Sequence, residues 1–144
     1  QILARSLFHS KKVKDLMVTN PVTVPRSISI EEFIRDYVYK YHFQAYPVIS
    51  FGRLTGCIFL KQITSIPREE WAHQTVGAIA LPCNKEITIE PEEDANKALE
   101  VMNKTGNSRL LVVTGDELKG IISLKDMLAL LSLKLELNDL EKNK

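Results

Sequence analysis

Gly52-Arg53-Leu54-Thr55-Gly56-Cys57-Ile58-Phe59-Leu60-Lys61 is matched, 64 residues further on, by Asp116-Glu117-Leu118-Lys119-Gly120-Ile121-Ile122-Ser123-Leu124-Lys125. The likeness extends outward on the N-terminal side. Tyr46-Pro47-Val48-Ile49 is answered by Leu110-Leu111-Val112-Val113, and Val22-Thr23-Val24-Pro25 by Ile87-Thr88-Ile89. A one-residue slip is needed between the first helix and the strand after it. Self-similarity at a fixed period marks a duplicated supersecondary unit.

Each half predicts the same order of elements, β-α-β-β-α. A short β segment leads. An amphipathic helix follows, carrying Ile30, Phe33, Ile34, Tyr37, Val38 and Tyr41 at helical spacing in the first half and Ala95, Ala98, Leu99 and Met102 in the second. Gly106 and Asn107 stop the second of these helices. Two β runs come next, joined by turns at Phe51-Gly52 and Gly115-Asp116. The closing helix is leucine-rich in the second half (Met127, Leu128, Leu130, Leu131, Leu133). One small sheet could not cover its own apolar face, so the expected fold is α+β, with two pseudo-twofold-related repeats packed sheet to sheet. Clefts between such copies are common ligand sites. The expected boundaries are a leading helix and linker over 1–12, a first repeat over 13–66, a linker over 67–75, a second repeat over 76–134, and a helix end and tail over 135–144. The stretch Ile2 to Met17 reads as an extra helix, and Ile66 to Trp71 as a Pro-initiated helical turn pinned by the single tryptophan.

Composition narrows the function. A formal net charge of +1 gives no global attraction for nucleic acid. Lys11, Lys12 and Lys14 read as a solvated helix face. Cys57, inside an apolar run, reads as a buried strand residue. Two cysteines do not make a disulfide framework, so a reducing compartment fits. The histidines His9, His42 and His73 lack metal-ligand spacing, so no metal site is expected. No nucleophile stands beside a base and no pair of catalytic carboxylates is apparent, so no catalytic residue is expected. Asp94, with Glu92 and Glu93, reads as the acidic start of a helix.

The string most open to chemistry is Gly120 to Asp126, where a strand ends at Ser123 and a helix begins. Helix-start amides attract anions, and the Ser123 hydroxyl can donate to a phosphate or ribose oxygen. Asp126 can accept from vicinal ribose hydroxyls, and Arg109 can fork onto a phosphate. The same two residues also make a helix cap, Ser123 closing the first turn and Asp126 favoured by the helix dipole. Both readings stay open on these residues alone. In the first half Phe59, Gln62 and Ala45 replace the hydroxyl, the carboxylate and the arginine, so a site there has lost its polar handles.

The repeat resembles the CBS domain, which usually occurs as a tandem pair called a Bateman module. The resemblance covers about Val13 to Leu133, and Gly120, Ser123 and Asp126 meet the family's closing motif in full. It implies that Thr88, Arg109, Ser123 and Asp126 contact the ribose and phosphate of AMP, ADP or ATP in one inter-repeat cleft, with the base among Ile89, Leu110 and Leu111. A narrower resemblance, carried by Tyr37 to Val48 and by Ile66 to Trp71 with Thr75-Val76, is to CBS pairs at the cytosolic C-terminus of site-2-type intramembrane metalloproteases. The function this implies is non-catalytic control of a parent protein at a cytoplasmic site. The partners implied are an adenine nucleotide, a second copy of the chain and the protease domain. The competing expectation is a ligand-free structural module for dimerisation or partner docking, with Leu128, Leu131 and Leu135 building a subunit interface.

Overall fold

The computed structural model describes residues 8–142. The first repeat runs through α1 (Val13–Leu16), β1 (Val24–Pro25), α2 (Ile30–Phe33), a π-helical turn (Ile34–Val38), α3 (Tyr39–Tyr41), β2 (Ala45–Ser50), β3 (Arg53–Phe59) and α4 (Leu60–Ile63). A 3-10 turn (Arg68–Glu70) and α5 (Val76–Ile79) lead to β4 (Thr88–Ile89), α6 (Ala95–Thr105), β5 (Arg109–Thr114), β6 (Glu117–Ser123) and α7 (Leu124–Lys142). The class is α+β, with two three-stranded sheets ordered β1-β2-β3 and β4-β5-β6. In both, the short first strand lies parallel to the second: Val24 pairs with Val48, and Ile89 with Val112.

The slip between the repeats has a local cause. The main helix of each repeat is capped at its start by a side chain, Ser29 accepting the Glu32 amide at 3.0 Å and Asp94 accepting the Asn96 amide at 2.7 Å. Each also ends in a left-handed residue, His42 at φ 64° and Gly106 at φ 78°. Between those landmarks the first repeat holds one residue more. The π-helical turn Ile34–Val38, wider than an α turn, takes it up and keeps both caps in register.

The chain divides into two compact units that do not follow the repeat boundary. Among the described residues, one holds those up to Asn20, Lys85–Thr114 and those from Lys119; the other holds Pro21–Asn84 with Gly115–Leu118. The lead-in to one repeat joins the sheet of the other. Val18 exchanges backbone hydrogen bonds with Ile121 of β6 at 2.8 and 3.0 Å, and Leu81 with Cys57 of β3 at 2.7 and 2.9 Å. These approaches explain two glycines: a Cβ on Gly120 would strike the Val18 carbonyl oxygen, and one on Gly56 would come within 2.8 Å of that of Leu81. In the second unit the turn residue Asp116 accepts from the Leu54 amide at 2.8 Å, and its carboxylate pairs with exposed Arg53.

Each unit has its own core. Ile89, Ala95, Ala98, Met102, Leu110, Val112, Ile122 and Met127 pack with Phe8 and Val13 in the first. Val24, Ile30, Phe33, Ile34, Tyr46, Val48, Ile58, Ile63 and Val76 pack in the second, with Trp71 against them and its indole N–H donating to the Ile66 carbonyl at 3.0 Å.

Three expectations change. The leading helix is confined, among the described residues, to Val13–Leu16; Phe8 to Ser10 form a turn, with Ser10 at φ 64°, and the earlier part of the expected helix lies outside the described residues. Lys12 and Lys14 are not simply solvated, because both bond the Glu92 carboxylate at 2.8 Å. Cys57 is buried in its strand as expected, but it is joined to Cys83 by a disulfide. Cys83 lies two residues beyond Leu81, and the β-bridge of Leu81 to Cys57 brings it into reach, a proximity that sequence spacing does not reveal. The cysteine count therefore gives no support for a reducing compartment.

Candidate functional site at the sheet face and helix start of the second repeat

The pleat of the sheet sorts the candidate residues. Side chains alternate between faces along a strand, and directly paired residues share a face. Leu110, Val112, Ile89 and Ile122 belong to the helix-side core. Arg109, Leu111, Thr88 (paired with Leu111) and Ser123 therefore lie on the opposite face. Of the apolar residues expected around a base, Leu111 alone shares the face of Thr88 and Ser123. Ile89 and Leu110 support that face from beneath, and Leu110 has no exposed surface. Thr88 and Arg109 each already interact within the protein.

At the end of this face β6 passes directly into α7. The Leu124 amide donates to the Ser108 carbonyl at 2.8 Å, which holds the start of α7 beside the start of β5 and so beside Arg109. Ser123 Oγ accepts the Asp126 amide at 3.1 Å. The hydroxyl is thus the N-cap of α7. A hydroxyl that accepts still has its own proton to donate, so capping and ligand contact are compatible. The Asp126 side chain is exposed in the first turn, where the helix dipole favours its charge.

The first repeat closes the same junction differently. Leu60 N–H donates to the Gln44 carbonyl at 2.9 Å, the counterpart of the Leu124–Ser108 bond. Ala45 stands directly opposite Phe59. Gln62 accepts the Phe59 amide at 2.9 Å through Oε1 and donates from Nε2 to the Ile79 carbonyl at 2.6 Å. Its amide is occupied on both sides as an internal brace. In sequence Gln62 reads only as a lost carboxylate; a Gln at the third helical position is the recognisable signal of a side chain reaching back to its own cap.

A concavity of about 590 Å³ lies elsewhere in the first unit, between α6 and α7, lined in part by Leu99, Met102, Met127, Leu128 and Leu131. Among the described residues no group of His, Cys, Asp and Glu could hold a metal ion, and no helix is long and apolar enough to cross a membrane.

The family model of the CBS domain matches residues 13–68 and 76–133. The chain belongs to the CBS domain family. It is a tandem CBS pair, a regulatory module rather than a catalytic one. This CBS pair is 36% identical over 137 residues to the zinc metalloprotease MJ0392 of Methanocaldococcus jannaschii, covering 93% of this chain and 37% of that protein. It is 35% identical over 133 residues to Rip3 of Mycobacterium tuberculosis, covering 91% of this chain and 34% of that one. The CBS pair therefore spans little more than a third of the relatives it matches. Among solved structures it superposes on a CBS domain-containing protein of Bacillus anthracis with a TM-score of 0.73 at 21% identity, covering 90% and 99% of the two chains. It superposes on the CBS domain of a bacterial CNNM/CorC family Mg2+ transporter, in complex with ATP, with a TM-score of 0.71 at 18% identity, covering 91% and 94%. At those identities the likeness shows the fold.

Proposed function

We propose that this CBS pair binds an adenine nucleotide (AMP, ADP or ATP) on its second repeat and thereby controls a parent zinc metalloprotease from the cytoplasmic side of a membrane. The repeats are taken as residues 13–66 and 76–134. The observation that carries the reading is the asymmetry of the two strand-to-helix junctions. Ser123 keeps a proton to donate and Asp126 presents an open carboxylate, whereas Gln62 is spent on an internal brace. In this reading Asp126 accepts from the ribose hydroxyls, Ser123 and Thr88 donate to ribose or phosphate oxygens, and Arg109 neutralises phosphate. The base lies on Leu111, with Ile89 and Leu110 fixing the strands below. The complex of a related fold with ATP supports the ligand class, and the likeness to a zinc metalloprotease supports the parent. A ligand regulates only if it favours one arrangement of its protein over another. Titration of the chain with each nucleotide, followed by melting temperature and heat of binding, tests the reading. One nucleotide should raise the melting temperature with concentration, and Asp126→Ala should abolish the rise. No rise with any of them would discard it.

The exposed leucines of α7 favour a second reading, a homodimer contact. Leu128, Leu133, Leu137 and Leu140 are each more than half exposed, and Leu128 and Leu131 line the concavity beside α6. Light scattering at high concentration should give twice the chain mass, reduced by Leu128→Glu. A monomer would remove this reading and leave the nucleotide reading standing.

A further inference from the structure

Among the described residues the cysteines are all paired: Cys57 is joined to Cys83 across 26 residues of chain. The bonded pair sits where the segment leading into the second repeat is laid against β3. Three things hold that segment independently of the sulfurs. Leu81 and Cys57 exchange two backbone hydrogen bonds, Gln62 donates to the Ile79 carbonyl, and Gly56 leaves room for the Leu81 backbone. The Cα atoms of the two cysteines are 5.4 Å apart, inside the range a disulfide spans without moving the backbone. With the sulfurs reduced, the β-bridge would still keep the thiols adjacent, so closure needs no search. The two cysteines differ in exposure: Cys57 is 1% exposed, while Cys83 is half-buried.

We propose that Cys57 and Cys83 form a reversible thiol–disulfide exchange site, reacting with small dithiols and low-molecular-weight disulfides, which fastens or frees the segment Ala80–Asn84 on β3. In the opening direction a dithiol thiolate attacks the sulfur of Cys83, the less buried of the two residues. The Cys57–Cys83 bond breaks, and Cys57 leaves as a thiolate that takes up a proton. The second thiol of the reagent, losing its proton, attacks the mixed disulfide and releases Cys83 as a thiolate, which is protonated in turn. The protein disulfide is reduced to two thiols and the dithiol is oxidised to its own disulfide. Closing runs the same steps backward with a low-molecular-weight disulfide as oxidant. Closed, the staple limits the freedom of the unfolded chain and holds the Leu81 bridge; open, the bridge rests on its hydrogen bonds alone.

The 144-residue chain would be equilibrated in oxidised and reduced glutathione and in dithiothreitol. Samples would be quenched in acid, then brought to neutral pH in denaturant containing N-ethylmaleimide, so that the buried Cys57 is also reached, and weighed intact. The expected result is a reversible passage between no added maleimide and two. The oxidised form should melt about 5–10 °C higher, and the Leu81 amide should exchange several-fold more slowly in it. In Cys83→Ser, which removes the sulfur of the less buried residue and leaves Cys57 in place, neither the melting temperature nor Leu81 exchange should depend on the buffer. Two maleimides at every glutathione ratio would overturn the proposal. So would a stable glutathione adduct on Cys83, or a disulfide that changes neither melting nor Leu81 exchange.

Discussion

Ser123 accepts the backbone amide of Asp126 at 3.1 Å, while the Asp126 carboxylate faces outward and takes no part in that bond. The cap therefore belongs to one residue and the exposed charge to the other, and substitutions separate them. Ser123→Ala should lower stability by about 1 kcal/mol through the lost cap. Asp126→Ala, which leaves its amide in place, should stay within about 0.5 kcal/mol of the parent. Urea denaturation without added nucleotide measures both. Equal losses would mean that the Asp126 side chain also holds the helix start.

Gln62 binds two backbone groups at once, the Phe59 amide and the Ile79 carbonyl. Gln62→Ala strands both in a partly buried place and should cost about 1–3 kcal/mol. Gln62→Glu keeps the acceptor but sets a carboxylate against the Ile79 carbonyl oxygen. It should also destabilise, and should not create nucleotide binding because Phe59 still lacks a hydroxyl. Equilibrium unfolding with a nucleotide titration of each variant checks the two halves separately.

His42 and Gly106 end equivalent helices in the same left-handed conformation, at φ 64° and 78°. Only one of them is suited to it, because a Cβ crowds the following carbonyl there. His42→Gly should raise stability by about 0.5–1 kcal/mol, and Gly106→Ala should lower it by a similar amount. Denaturant midpoints measured side by side would show the opposite signs.

The Glu92 carboxyl is held down at about 2 by hydrogen bonds from Lys12 and Lys14 and by their charge. A carboxyl lowered on folding lends stability that is fully present above its unfolded value and fades as pH falls through the folded one. The contribution of Glu92, read as the melting difference from Glu92→Gln in low salt, should therefore be steady above about pH 5 and vanish toward pH 2. An NMR titration of Glu92 should give a midpoint near 2 that returns to the ordinary carboxylate range in Lys12→Ala/Lys14→Ala. Salt should weaken the effect, since all three side chains are about half exposed or more.

The duplication, the order of elements, the hairpin turns and the family are legible in the residues alone, because apolar period, turn residues and caps act over a few neighbouring positions. So is the fact that the second repeat alone keeps Arg109, Ser123 and Asp126. What depends on distant segments meeting is set only in three dimensions. The exchange of lead-ins, Val18 onto β6 and Leu81 onto β3, brings Cys83 to Cys57, and neither spacing nor composition encodes that contact. The pleat, fixed by register against β4, set Leu111 apart from Ile89 and Leu110. Gln62, read in sequence only as a missing carboxylate, became a brace because Ile79 lies within 2.6 Å of its amide. Local propensity writes the elements; pairing in space assigns their side chains to a face, a partner or a bond.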